Sequence, residues 1–431
     1  MVAKMVAKKK QSKSAPPKKS VAKKSSAKDV PKVVDKGETV DLMDPLVIAE
    51  DSRFRSEMSD LALDLTYKAA EFQSSLPEGV RAALADLVRN MNCYYSNLIE
   101  GHDTHPIQIE LALNNVYDAD PKKRDLQLEA RAHIAVQRWI DEGNLRGKCT
   151  TEASIREIHR RFVECLPEEL RWVVRPDTGE KLPVVPGEYR LDFVEVGRLV
   201  PVSPGAIPRF MQRYEKGYSS FNRAQTIIAC AAAHHRLTWI HPFLDGNGRV
   251  ARLVSHAMLL DALATGGIWS IARGLSRNVV EYKKHLSSCD LGRRNDLDGR
   301  GALSEETLVD FTRFFLRTCI DQVDFMRNLM QPEALRARIL TWAEEEVRLG
   351  SFAKPAVAIM EAVLFRGELP RADVAPLIQG SDRTASRLTA QLNGFGVITS
   401  SSSKAPWRLA LPATLAQRWF PGLYPAGALP S

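Results

Sequence analysis

The 431-residue chain has no run approaching about 18 consecutive apolar residues, which excludes a membrane-spanning helix. Its six cysteines, at 93, 149, 165, 230, 289 and 319, form no Cys-x-x-Cys pair. That scatter excludes a zinc ribbon or a disulfide framework and points to a reducing compartment, so a cytoplasmic protein is expected. Residues 1–36 contain no aromatic side chain and no apolar core of the roughly 7–15 residues that a secretory signal requires. What they do contain is twelve lysines against Asp29 and Asp35, a net of +10 in a chain whose total is +8. Residues 37–431 therefore carry −2, and the folded part is nearly neutral. A tail of this composition cannot bury enough apolar surface to offset chain entropy, so residues 1–40 are expected to be disordered. Such a tail can bind nucleic acid without sequence preference, or simply stay solvated. The length is enough for two or three domains.

One stretch concentrates chemistry. Ile240 to Arg252 reads Ile-His-Pro-Phe-Leu-Asp-Gly-Asn-Gly-Arg-Val-Ala-Arg, between segments with helical apolar spacing on both sides. Gly246-Asn247-Gly248 permits positive φ and gathers backbone N–H groups at a helix start, where the macrodipole also favours an anion. Arg249 and Arg252, three apart on that helix, can both reach phosphate oxygens. Asp245 offers a hard oxygen to Mg²⁺, and His241 can act as a base near neutral pH. Together these residues predict a phosphate site with its own base.

His241 to Arg252 matches in full the pattern His-x-Phe-x-Asp/Glu-Gly-Asn-Gly-Arg-x-x-Arg, and the chain thereby resembles the Fic (fido) family. Gly187-Glu-Tyr-Arg190 with Val194, Val196 and Pro201 resembles the family's flap, and Arg300 to Cys319 its closing helices. The resemblance implies a Mg²⁺-dependent transfer of AMP from ATP to a Ser, Thr or Tyr hydroxyl of a protein. His241 would be the base, Asp245 the metal ligand, and Gly246, Asn247, Gly248, Arg249 and Arg252 the nucleotide site. Ser96-Asn-Leu-Ile-Glu100-Gly101 reads by itself as a helix end with a C′ glycine. Beside the motif it also resembles the family's inhibitory signature, with Glu100 pairing Arg252 and Ser96 supporting the pair. On the helix after the motif, Tyr282 resembles the family's adenine contact, although Lys283 stands where a second aromatic is common.

The fold class expected is mainly α: a Fic helical fold with a small β-hairpin flap and a C-terminal winged helix-turn-helix domain. The expected divisions are a tail (1–40), an N-terminal helical region (41–150), a catalytic core (151–335), a winged-helix module (350–415) and a second tail (416–431). The hairpin is placed at Val184 to Pro201 by its alternation between prolines, and a target segment could add to its edge. In the module, three helices and a two-stranded ribbon are expected, with Ser381 as an N-cap and Arg383 and Arg387 able to face DNA. Two other functions remain open at this level: removal of AMP by the same site through Glu100, and a DNA-binding regulator with the Fic core as ligand sensor. The sequence leaves the target protein open, and also the oligomeric state, a homodimer included.

Overall fold

The computed structural model describes residues 33–175 and 178–425. Residues 1–32, which hold most of the Lys-rich segment, lie outside the described residues. Within the expected tail, residues 34–40 are pinned to the following core. Asp35 pairs with Arg209, Glu38 accepts from both the Ser203 N–H (2.8 Å) and its hydroxyl (2.6 Å), and Gly205 donates to the Val34 carbonyl at 2.8 Å. Two acidic side chains with partners on the core thus end the tail earlier than composition suggests.

Helices α1 (Arg55–Ser74), α2 (Glu78–Ile99), α3 (Pro106–Leu113) and α4 (Pro121–Trp139) come first. Pro106 and Pro121 open their helices, where proline's missing N–H costs nothing. The C-terminal half of α2 runs through the interior, burying Met91, Tyr94 and Tyr95 and even Ser96 and Asn97. Helix α5 (Glu152–Glu164) follows, capped by Thr151. A short hairpin pairs β1 (Trp172–Val174) with β2 (Lys181–Pro183), Trp172 opposite Pro183.

This hairpin corrects the expectation of one at 184–201. Those residues form an irregular strap whose only bridge joins Val196 and Leu199. Prolines at 183, 186 and 201 deny it ladder donors, and its backbone bonds to the core instead: Arg190 N–H donates to the Pro242 carbonyl at 2.9 Å. Alternation was real, but it marked an extended strap.

Helices α6 (Ile207–Tyr218), α7 (Arg223–Ile240) and α8 (Asn247–Leu263) form the centre. Asn222 and Gln225 make a reciprocal capping box at the start of α7. α7 and α8 pack directly on each other. Across that packing His234 Nδ1 meets Ser255 Oγ at 2.9 Å and Cys230 Sγ lies 3.7 Å from the Ser255 carbonyl. α9 (Ile271–Arg277), α10 (Val279–Ser288) and α11 (Glu305–Leu329) close the core, and α12 (Pro332–Arg348) leads out of it.

The C-terminal module has α13 (Pro355–Arg366), β3 (Glu368–Leu369), α14 (Arg371–Leu377), α15 (Asp382–Gly394), β4 (Ile398–Thr399) and β5 (Trp407–Leu409). Ser381 caps α15 by accepting from Thr384 N–H. The sheet has three antiparallel strands in the order β3-β5-β4 rather than the two expected. The extra strand is two residues long, too short for a period to show. Residues 416–425, expected as a tail, fold back onto the core: Trp419, Phe420 and Leu423 are buried, and Tyr95 donates to the Leu423 carbonyl at 2.7 Å. No helix among the described residues is long and apolar enough to cross a membrane.

Candidate active site

The loop between α7 and α8 turns at two left-handed residues, His241 (φ 51°) and Gly246 (φ 80°). Between them Phe243 is fully buried, stacked on His159 of α5 with centroids 3.9 Å apart and planes 3° from parallel. The Asn247 side chain brackets Phe243: its oxygen accepts from the Phe243 N–H at 2.9 Å and its amide donates to the Phe243 carbonyl at 2.8 Å. That side chain was expected at the nucleotide, but both its polar atoms rivet the loop. Only the backbone of Asn247 is left to face an anion. Asn247→Ala would orphan two buried backbone groups, so a loss of about 2–4 kcal/mol of stability is expected in urea unfolding. A variant as stable as wild type would remove the rivet role. Helix α8 has no side-chain N-cap, so its first-turn N–H groups are open to water or a ligand.

His241 closes α7 from a strained conformation for a non-glycine residue. Its Nδ1 lies 3.3 Å from the Thr238 carbonyl. A carbonyl only accepts, so Nδ1 carries the hydrogen and Nε2 keeps its lone pair. Burial, with the Arg190 charge behind it, pulls the imidazole pKa down to about 4 against the opposing pull of the Thr238 carbonyl, Asp245 and Glu100. The ring is therefore neutral at neutral pH, the form a base requires. Arg190, 3% exposed, holds this corner from the strap: its guanidinium donates to the carbonyls of His241 (2.8 Å) and Val202 (2.6 Å).

Arg252, also 3% exposed, lies across the loop. Its Nε donates to Ser96 Oγ at 2.8 Å, and one terminal nitrogen bonds both the Ser96 carbonyl (3.3 Å) and the Glu100 carboxylate. Glu100 is the C-cap of α2, followed by Gly101 at φ 88°. The segment is thus a helix end with a C′ glycine and also a carboxylate on Arg252. That carboxylate sits directly over the glycine turn, since a Cβ placed on Gly248 would come within 2.5 Å of Glu100 Oε1. Burial works to raise the Glu100 pKa, but the charge and hydrogen bond of Arg252, with Arg249 and Lys283 behind them, outweigh it and hold the carboxyl below its ordinary range.

The second arginine is paired as well. Arg249 donates to Glu129 of α4 at 3.0 Å and stacks over the Phe162 ring at 4.8 Å. Glu129 also meets His102 Nδ1 at 3.2 Å, two residues beyond Glu100. Asp245 remains 57% exposed, its nearer oxygen 3.9 Å from Arg249. Among the described residues no group of three or more His, Cys, Asp or Glu side chains could hold a metal alone. One exposed carboxylate beside an open helix start fits Mg²⁺ shared with phosphate oxygens and water, which is how that ion is usually held.

The structure brings together His241, Asp245, Gly246, Gly248, Arg249, Arg252, Ser96 and Glu100. It corrects Tyr282. That ring is 3% exposed among Phe311 and His234, and its hydroxyl meets His234 Nε2 at 2.8 Å, so it presents no open face to a base. Sequence reasoning missed Glu129 and His159, which no local pattern marks. It quoted Arg190 within Gly187-Glu-Tyr-Arg190 but gave it no role. His235 bonds Asp290 at 2.9 Å. Arg383 and Arg387 are exposed on α15.

Residues 149–259 match the Fic/DOC family. The chain is 30% identical over 171 residues to "Protein adenylyltransferase Fic" of Drosophila mojavensis, covering 39% of this chain and 31% of the relative. It is 31% identical over 171 residues to the protein of that name from Drosophila grimshawi, covering 39% and 32%. The matched part thus spans less than a third of these curated relatives. Among solved structures, a Fic family protein from Desulfovibrio desulfuricans G20 aligns at TM-score 0.45 and 17% identity, over 81% of this chain and 96% of that one. Fic-1 from C. elegans aligns at TM-score 0.45 and 17% identity, over 64% and 76%. The loop from His241 to Arg252 lies inside the matched region, and over residues 149–259 the chain is similar to the Fic/DOC family.

Proposed function

We propose that the protein transfers AMP from ATP to a protein hydroxyl and that Glu100 holds this activity down. The observation that carries the proposal is the Glu100 carboxylate, an anion seated over Gly248 and bonded to Arg252, in the place the sequence reserves for phosphate. The names of the Drosophila relatives support the reaction class.

In this reading the target hydroxyl attacks the α-phosphorus, the bond from that phosphorus to the bridging oxygen breaks, and pyrophosphate leaves. His241 takes the hydroxyl proton on Nε2. The backbone of Gly246 to Gly248 and the Arg249 guanidinium face the charge that develops on the phosphates, and Arg252 holds the terminal phosphate once Glu100 has left it. Asp245 would hold Mg²⁺, which when bound neutralises charge on the leaving pyrophosphate. Because Asp245 is the only carboxylate in the loop, Asp245→Ala should raise the Mg²⁺ concentration needed for half-maximal rate by at least about tenfold. An unchanged Mg²⁺ curve would remove it as ligand.

Labelled ATP tests the reaction itself. A Glu100→Gly protein in lysate should transfer label from the α position and none from the γ position; γ label on the target would make it a kinase. A second reading rests on the exposure of Glu100, whose side chain stays 34% accessible with only one oxygen on Arg252. The other oxygen can orient a water toward the α-phosphorus of a modified target, and release of AMP from such a target without ATP would favour removal over addition. The same proposal places the target along the strap at 184–201, beside His241. It keeps nucleic acid as a partner of the exposed Arg383 and Arg387, which form no ion pair among the described residues.

A further inference from the structure

Glu129 reaches the candidate site from α4, a helix that the loop motif does not include. Its Oε2 accepts from a terminal nitrogen of Arg249 at 3.0 Å and faces His102 Nδ1 at 3.2 Å. Burial works to raise the Glu129 pKa, but the His102 hydrogen bond and the Arg249 charge outweigh it and hold the carboxyl below its ordinary range. An ionised carboxylate only accepts, so His102 carries a hydrogen on Nδ1 and donates it. Both donors thus fall on one oxygen. His102 is itself well placed to steady that oxygen: its backbone N–H donates to the Asn97 carbonyl at 2.9 Å and that of Gly101 to the Leu98 carbonyl at 3.1 Å, closing the turn at the end of α2.

Arg249 is gripped on two sides. The Phe162 ring lies against the face of its guanidinium at 4.8 Å and Glu129 holds one edge, with the side chain 8% exposed. A planar fork with one face on a ring and one edge bonded is fixed in orientation. Its other terminal nitrogen lies 3.9 Å from Asp245 Oδ2, beyond hydrogen-bond reach, and Glu129 is the one acceptor bonded to this guanidinium among the described residues. The remaining N–H groups stay available to phosphate oxygens, so an anion need not displace Glu129. Glu100 differs in this respect, because the atoms nearest a Cβ placed on Gly248 belong to Glu100 and Arg252, and its carboxylate fills the anion's own place. We infer that Glu129 is a positioning residue for AMP transfer: seated between His102 and Arg249, it fixes the guanidinium that faces the charge developing on the phosphates. The inference rests on the AMP-transfer reading for the identity of that charge, and it makes Glu129 an aid to the reaction where Glu100 is a brake.

Initial rates of α-label transfer across ATP concentrations, measured on the full chain in a Glu100→Gly parent, separate the alternatives. Glu129→Ala is expected to lower kcat roughly tenfold to a hundredfold, the effect of losing one hydrogen bond to a charged group. KM for ATP should stay within about threefold, because Arg252 and the glycine turn still hold the nucleotide. Glu129→Gln keeps an oxygen for both donors and should recover most of the lost rate. A Glu129→Ala protein faster than the parent would make Glu129 a second brake and overturn the inference. So would an unchanged kcat, a loss confined to KM, or a Glu129→Gln protein as slow as Glu129→Ala. A parent that transfers no α label would overturn the AMP-transfer reading instead, and the aim of Arg249 is then read without chemistry. Nitrogen-15 spectra of the arginine-labelled parent should show the Arg249 terminal nitrogens as separate, slowly exchanging signals, a result that also decides the matter if Glu129→Ala fails to fold. A single averaged signal would mean a freely turning guanidinium and overturn the inference.

Discussion

Replacing His241 with alanine is expected to lower AMP transfer by roughly 10²- to 10⁴-fold while leaving ATP affinity nearly unchanged, the usual effect of removing a positioned base. The size follows from how completely the corner is organised around this one ring. The Thr238 carbonyl fixes the tautomer that leaves Nε2 free, and Arg190 and the left-handed backbone fix its direction. The ring is already neutral, because burial pulls its pKa to about 4. A base whose pKa lies this low stays available as pH falls from 8 to 5, so no acid limb from His241 is expected across that range. The rate should decline only as pH approaches 4. Retention of more than about a tenth of the wild-type rate in His241→Ala would remove the base assignment, and a limb centred near pH 6.5 would mean that the imidazole is solvated during turnover.

Replacing Glu100 with glycine is expected to raise transfer by as much as about a hundredfold. A closed state favoured about 99 to 1 corresponds to about 2.7 kcal/mol, since each 1.4 kcal/mol is a factor of ten. A partly buried ion pair backed by Ser96 can supply that much, although the 34% accessible carboxylate is screened by solvent and its pair is discounted accordingly. Glu100→Asp should activate less, because a carboxylate remains, drawn back by one methylene. Mild acid should not mimic either change. Arg252 holds the Glu100 carboxyl below its ordinary range, so the ion pair is complete above that range and fails only as pH drops through the lowered value.

The parts of this site that the sequence made legible are those that lie together along it. His241 to Arg252 is one turn between two helices, so glycine placement and helical spacing were sufficient to predict an anion site before any tertiary contact was known. Ser96 and Glu100 were legible through the family resemblance, because the helix-end glycine alone has a purely local explanation that the structure also bears. Glu129 on Arg249 was not legible: a glutamate on an amphipathic helix looks solvated until α4 is laid against α8. Tyr282 failed for the converse reason. An aromatic on a short helix can face a ligand or the core, and only the packing of α10 on α11 decides that its hydroxyl turns inward to His234. The strap at 184–201 was misread as paired strands, since alternation of residue types says nothing of where the backbone bonds go, and Leu191, Phe193, Val196 and Val200 are exposed rather than turned inward. Its one decisive residue, Arg190, was visible as a letter while its role depended on carbonyls 50 residues away.

The most direct measurement of the clamp is the initial rate of α-label transfer at saturating ATP for four proteins: wild type, Glu100→Gly, Arg252→Ala and the variant carrying both changes. All three variants break the ion pair, but only Glu100→Gly keeps the phosphate ligand. The account predicts a large gain for Glu100→Gly alone, with Arg252→Ala and the double variant at or below wild type. A folded Glu100→Gly protein no faster than wild type, or an Arg252→Ala protein equally activated, would contradict it.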